Sequence, residues 1–181
     1  MLVVNLFGAP GSGKSTGAAY IFSQLKIAGV NAELVTEFAK DKVWENNEEV
    51  FKNQAYIFGK QSFKMSRCRD KVDVIVTDCP LLLSALYNSD ETLGEEFNNV
   101  VHRVFDSYEN MNFLINRVKA YQPVGRLQTE EESDQIQGSL MSLLTTMRVP
   151  FEIKNGNIAG YNEIIDDVLY YIRKEEDGTK A

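Results

Sequence analysis

The residues Gly8-Ala9-Pro10-Gly11-Ser12-Gly13-Lys14-Ser15-Thr16 have the types and spacing of a phosphate cradle. They fit G-x-x-x-x-G-K-[ST], the P-loop pattern. Glycines let the backbone turn tightly and bring its N–H groups close to phosphate oxygens. A helix starting just after them adds the positive end of its dipole. Lys14 then reaches the β- and γ-phosphates, and the Ser15 hydroxyl ligates Mg²⁺. The chemistry expected of this stretch is binding of ATP with Mg²⁺.

Four charged residues further along suit transfer of the terminal phosphoryl group. Glu37, Asp78 and Arg117 each follow a short apolar run that reads as a strand, and Arg126 follows a polar stretch. In open α/β sheets ligands gather at the carboxyl ends of strands. Glu37 is the candidate general base, since transfer to a hydroxyl needs a carboxylate near the acceptor oxygen; its plainer use is to cap the next turn. Asp78 suits a water-mediated Mg²⁺ ligand, or an N-cap for the segment beginning at Pro80. Arg117 and Arg126 bracket a loop that can close over the phosphates and offset charge on the equatorial oxygens; their plainer use is as solvated surface cations. Gln54 can pair with the edge of a planar base, while Phe51 and Tyr56 can offer a stacking face. An aromatic residue on a helix is otherwise core.

The elements that must position these groups read as an alternation of strand and helix. Residues 2–7 form an apolar strand leading into the glycine loop, and a helix is expected from Ser15 to Ile27. Further strands are expected at 32–36, 72–77, 111–115 and 149–153, the last an edge strand because it holds Pro150. Helices are expected at about 48–70, at 92–108, from a capping box at Thr129-Glu130-Glu131-Glu132, and from Tyr161 through Ile172. Residues 118–128 read as a mobile lid loop and 174–181 as a charged tail. This alternation implies one domain over 1–181, an α/β parallel sheet covered on both faces.

Composition bounds the rest. The chain has 181 residues, 44% of them hydrophobic, which suits a single domain with a proper core. A net charge of −7 argues against a broad nucleic-acid-binding face, although Lys60, Lys64, Arg67, Arg69 and Lys71 make a local basic stretch. Cys68 and Cys79 have no metal-ligand spacing and read as free thiols of a reducing cytoplasm. No stretch is long enough to span a membrane. The first apolar run is strand-length, so a signal peptide is not expected. His102 reads as a surface helix residue.

With these residues in place, the chain resembles the P-loop nucleoside and nucleotide kinases, nearest to the deoxynucleoside-kinase type. Thr36-Glu37 is similar to the strand-2 exit that carries the base in that family, and Asn53-Gln54-Ala55-Tyr56 to the helix whose glutamine reads the nucleobase. Arg117-Val118-Lys119, Arg126 and Glu130 to Glu132 are similar in order to the arginine-bearing lid, though more widely spaced. Asp78-Cys79-Pro80 departs from the family's acidic residue followed by Arg and Ser. That turn resembles looser kinase-like proteins, including nicotinamide riboside kinases. The resemblance implies a P-loop three-layer sandwich with a five-stranded parallel sheet in the order 2-3-1-4-5 and a lid. It also implies ATP- and Mg²⁺-dependent phosphoryl transfer to a nucleoside or nucleotide by a monomer or homodimer. Two rivals stand beside it: a kinase acting on a hydroxyl in DNA, and a nucleotide-binding ATPase or switch without a small acceptor.

Overall fold

The computed structural model describes residues 1–39, 42, 45, 48–124 and 128–178. Its centre is β1 (Leu2–Phe7), all six residues of which are buried. A strand buried on both faces needs apolar side chains pointing both ways, which the run Leu-Val-Val-Asn-Leu-Phe supplies apart from Asn5. β1 pairs in parallel with β3 (Val74–Thr77) on one side and β4 (Glu109–Asn116) on the other. β2 (Ala32–Val35) adds outside β3, and β5 (Glu152–Asn155) outside β4, both parallel. The order is β2-β3-β1-β4-β5, as expected.

Side chains alternate across this sheet. Leu2, Val4, Leu6, Val74, Val76, Phe113 and Ile115 meet Ala18, Ile21 and Leu25 of α1 (Lys14–Ile27). They also meet Ile164 and Val168 of α6 (Ile158–Gly178). Val3, Phe7, Ile75 and Leu114 face the other helices. These are α2 (Gln54–Ser66), α3 (Leu83–Leu86), α4 (Gly94–Asp106) and α5 (Glu130–Thr146). The result is three layers. Asn5 pays for its buried position by donating its amide to Asn110 Oδ1 at 2.9 Å and Asn112 Oδ1 at 3.0 Å on β4.

Several boundaries differ from expectation, each for a local reason. The helix expected from about 48 is split into a 3₁₀ turn (Glu48–Lys52) and α2, because the Asn53 side chain accepts the Tyr56 N–H and opens a new N-terminus. It stops at Ser66, and Asp70 takes a positive φ of 61°. The helix expected from Thr92 begins instead at Gly94, whose φ of 58° separates it from a 3₁₀ turn (Glu91–Leu93). β5 lies beyond Pro150 rather than across it, so the proline takes no place in the ladder. α6 runs on to Gly178, past Lys174, where the charged run begins. At α5 the capping box forms: Thr129 Oγ1 accepts the Glu132 N–H, and the Glu132 carboxylate accepts the Thr129 N–H. No helix among the described residues is long and apolar enough to cross a membrane.

Candidate functional site

The glycine loop joins the carboxyl end of β1 to the first turn of α1, beside the exits of β2, β3 and β4. Gly8, Gly11 and Gly13 have φ of 148°, 84° and 101°. A side chain strains the loop at each of these positions. At Gly8 a Cβ would meet Ser12 Oγ at 2.6 Å and the Ile115 carbonyl at 2.9 Å. Lys14 curls back over the loop, its ammonium donating to the Gly8 carbonyl at 2.5 Å and the Ala9 carbonyl at 3.0 Å. Ser12 Oγ is buried with no hydrogen-bond partner. A buried hydroxyl in that state, beside concave backbone, fits a loop shaped to receive an anion.

Two cavities flank the loop, and Gly11 lines both. The larger, about 300 Å³, is bounded by Gly8, Pro10, Lys14 and Ser15 of the loop and by Glu37 and Asp78 at the strand exits. Its farther walls are Phe51, Gln54 and Ile57 with Cys79, Leu83, Ser84 and Tyr87. The smaller, about 270 Å³, lies between Ser12, Gly13 and Thr16 on one side and Lys119, Ala120 and Gln122 on the other, with Gly156 and Tyr161 beneath. Of the residues singled out from the sequence, Lys14, Ser15, Glu37, Phe51, Gln54 and Asp78 therefore share one cavity.

Glu37 is held by its backbone. The β2 exit is latched residue by residue: Lys64 donates to the Thr36 carbonyl at 2.7 Å, Asp78 Oδ1 accepts the Glu37 N–H at 3.0 Å, and Gln61 Oε1 accepts the Phe38 N–H at 3.1 Å. Asp78 and Gln61 are 3% and 1% exposed, so these are buried anchors. Asp78 thus ties β3 to β2 as well as facing the cavity. Burial pushes the Cys79 thiol well above its ordinary range, and the Glu37 and Asp78 carboxylates push the same way. Tyr87 is raised to about 12 by burial, then by Glu37 and Cys79. Both groups are neutral at physiological pH, which leaves Glu37, Asp78 and Lys14 as the charges among the described residues lining this cavity.

Tyr56 and Arg117, both singled out from the sequence, stand elsewhere. Tyr56 is 43% exposed, its ring edge-on to Phe38 at 5.7 Å and under the Lys60 ammonium at 5.4 Å, and it does not line the cavity. Successive α2 positions turn by about 100°, so Tyr56 leaves the face that the cavity residues Gln54 and Ile57 share. Arg117 lines neither cavity. Its guanidinium bonds Asp134 at 2.5 Å and Glu130 at 3.2 Å, and stacks over the Tyr121 ring at 5.3 Å. Arg126 lies outside the described residues. His102 faces Asp106 one turn on, at the surface of α4.

Other residues of the site carry no local motif. Ser133 and Gln137 of α5 bond the Pro10 carbonyl and the Ala9 N–H. Tyr161 of α6 donates to the Gly13 carbonyl at 3.0 Å. Gly156 packs so closely under the loop that a Cβ there would run into the Ser12 carbonyl. The helical spacing of Ser133 and Gln137 was the one available signal, and it does not say what they face.

Among the described residues no cluster of three or more His, Cys, Asp or Glu side chains can hold a metal alone. Ser15 and Asp78 offer hard oxygen donors to the same cavity, which fits Mg²⁺ sharing its remaining positions with phosphate and water.

Comparison with known proteins follows this geometry. A family model described as "AAA domain" matches residues 3–159. No curated protein matches the chain. Among solved structures, deoxyadenosine kinase from M. mycoides with bound dATP aligns with a TM-score of 0.58 and 19% identity, covering 93% of this chain and 99% of that one. At that identity the likeness is one of fold.

Proposed function

The chain belongs to the AAA-domain family, and from that premise we propose that it is an ATP-dependent phosphotransferase whose acceptor is a nucleoside or nucleotide. One observation carries the reading: the phosphate loop stands between two cavities, and the larger sets Lys14 and Ser15 against Glu37 and Asp78. The walls formed by Phe51, Gln54, Ile57 and Leu83 give an acceptor a place beside the phosphate loop. The fold shared with a deoxyadenosine kinase supports the same reading.

In this reading the base and sugar of ATP take the smaller cavity and the phosphates lie across Gly11 to Ser15. Lys14 leaves the loop carbonyls for the β- and γ-phosphates, and its charge offsets that of the transferring group. Mg²⁺, held from the protein side by Ser15 and Asp78, supplies further charge compensation when bound. The acceptor lies in the larger cavity, flanked by Phe51, with Gln54 placed to read a base edge. Glu37 takes the proton from the acceptor hydroxyl as its oxygen bonds to the γ-phosphorus and ADP leaves. Arg126 is assigned to the lid that closes over the phosphates. Arg117 supports that lid by holding α5.

The test is incubation of the purified chain with labelled ATP and a panel of nucleosides and nucleotides, beside Glu37→Gln. Label should reach an acceptor, and the substitution should lower turnover by about 10²-fold or more while ATP binding stays near normal. Hydrolysis at the same rate with and without every acceptor would favour the ATPase reading instead.

A second reading places the acceptor hydroxyl in DNA, and one surface favours it. Tyr56, Lys60 and Phe63 follow one stripe of α2, continued by Arg67 at its C-terminal cap, with Tyr56 43% and Phe63 67% exposed. Aromatic faces interleaved with cations suit single-stranded nucleic acid. Retention of a short labelled oligonucleotide on a filter, lost in Phe63→Ala, separates this reading from the first.

A further inference from the structure

A loop with three glycines at positive φ has little conformational preference of its own. Its shape must come from outside. Part of it comes from α5. Gln137 Oε1 accepts the Ala9 N–H at 2.8 Å, and its amide donates to the Ile115 carbonyl at 3.3 Å and Asn116 Oδ1 at 3.4 Å. One turn earlier Ser133, 1% exposed, donates its hydroxyl to the Pro10 carbonyl at 2.7 Å. The two positions share one helix face and grip consecutive residues of the loop.

The same helix starts at the capping box that closes the lid segment, and its first turns hold Arg117 through Glu130 and Asp134. Neither Ser133 nor Gln137 lines a cavity. The Ala9 N–H belongs to the planar Gly8–Ala9 peptide, so its bond to Gln137 fixes the direction of the Gly8 carbonyl, which accepts the Lys14 ammonium at 2.5 Å; the Ala9 carbonyl accepts the Ser12 N–H at 3.1 Å and the same ammonium at 3.0 Å. The glutamine therefore sets which way the Gly8–Ala9 peptide faces, and through the Gly8 carbonyl where Lys14 rests.

We propose that Gln137, with Ser133, is a positioning residue of the nucleotide site: the pair clamps Ala9-Pro10, presets the loop for phosphate, and couples the helix behind the lid to the loop. The inference rests on the reading of this loop as a nucleotide site. A misdirected donor costs binding even when every phosphate-contacting residue is intact.

The test is the dissociation constant of a fluorescent ATP analogue with Mg²⁺ for Gln137→Met, Ser133→Ala, the double variant and Ser139→Ala, an exposed control on the same helix. Melting temperatures without ligand, and hydrogen exchange over residues 9–13, are read alongside. Gln137→Met should weaken binding about tenfold and Ser133→Ala about threefold, with faster exchange in the loop and the control unchanged. The larger loss belongs to Gln137, whose side chain gives up three hydrogen bonds where Ser133 gives up one. Because both act on one segment, the double variant should bind only slightly more weakly than Gln137→Met. Should Gln137→Met not fold, Ser133→Ala, which removes one hydroxyl, carries the test. Variants that bind within twofold of the parent, or effects that multiply independently, overturn the clamp. Failure of the parent chain to bind the analogue overturns the nucleotide-site reading, and this inference with it.

Discussion

Gly13→Ala tests the loop geometry without reference to any acceptor. Gly13 sits at the N-terminus of α1 with φ of 101°. A Cβ there would lie 2.5 Å from Tyr161 Oη and 3.3 Å from the Gly156 carbonyl. Forcing an L-residue into left-handed backbone costs roughly 1–2 kcal/mol. The phenol must also give way, and its hydrogen bond to the Gly13 carbonyl, 3.0 Å long, is lost at about 1 kcal/mol. The whole cost is thus about 2–3 kcal/mol, and at roughly 2–4 °C per kcal/mol for a chain of this size the melting temperature should fall by about 4–12 °C. Tyr161→Phe removes the atom that the new methyl meets. In that background Gly13→Ala should cost the backbone strain alone, so the two substitutions should be less than additive by about 1 kcal/mol. Thermal melts of the four proteins read this directly. A fall of under 2 °C, or strict additivity, would refute the claim that Tyr161 sets the loop from below.

Three further outcomes follow. Asp78→Asn keeps an oxygen for the Glu37 N–H but removes the charge, so the fold should persist while half-maximal activity needs about tenfold more Mg²⁺; an unchanged Mg²⁺ titration leaves Asp78 as a latch only. Cys79 should resist iodoacetamide at pH 8 in the folded chain and react on unfolding. Since its folded pKa lies above its unfolded value, its share of stability is complete below about pH 8.5 and is lost as pH rises beyond it, so the melting temperature should decline on the alkaline side; rapid labelling in the native state would contradict this. Lys119, Ala120 and Gln122, which wall the smaller cavity, should exchange backbone hydrogens more slowly once an ATP analogue is bound; equal protection in both states would remove them from the nucleotide site.

What could be read from the chain was what is local. Strand, glycine loop and helix are contiguous, so the phosphate cradle announced itself, as did the capping box at Thr129. The sheet order followed from the alternation together with the family resemblance. Glu37 and Asp78 were legible because a charge closing an apolar strand lands at the ligand edge of a parallel sheet. The misplacements share a cause. Tyr56 was assigned to the cavity because helix membership was readable and helix rotation was not. Arg117 was expected over the phosphates, but Glu130 and Asp134 hold it, and only the docking of α5 brings them within reach. Ser133 and Gln137 meet the loop across 123 and 128 residues. No periodicity encodes a hydrogen bond of that span, and a serine and a glutamine on a helix look like surface. The split at Asn53 was missed because nothing in the residue pattern over 48–70 says that the Asn53 side chain accepts the Tyr56 N–H and restarts the helix.

The sharing of Gly11 by the two cavities has a consequence for ligand design. Two small molecules that each fill one cavity pay separately for the freedom they lose on binding. A single molecule joining them across the glycine pays that cost once, and its second half arrives at an effective concentration set by the tether rather than by what is in solution. The bridge has little slack, because both cavities open onto Gly11, a residue without a side chain. A tether of phosphate units that matches this span should gain far more than one a few bonds longer, whose extra length only lowers the local concentration of the second half. The shared glycine makes tether length a ruler for the separation of the two cavities.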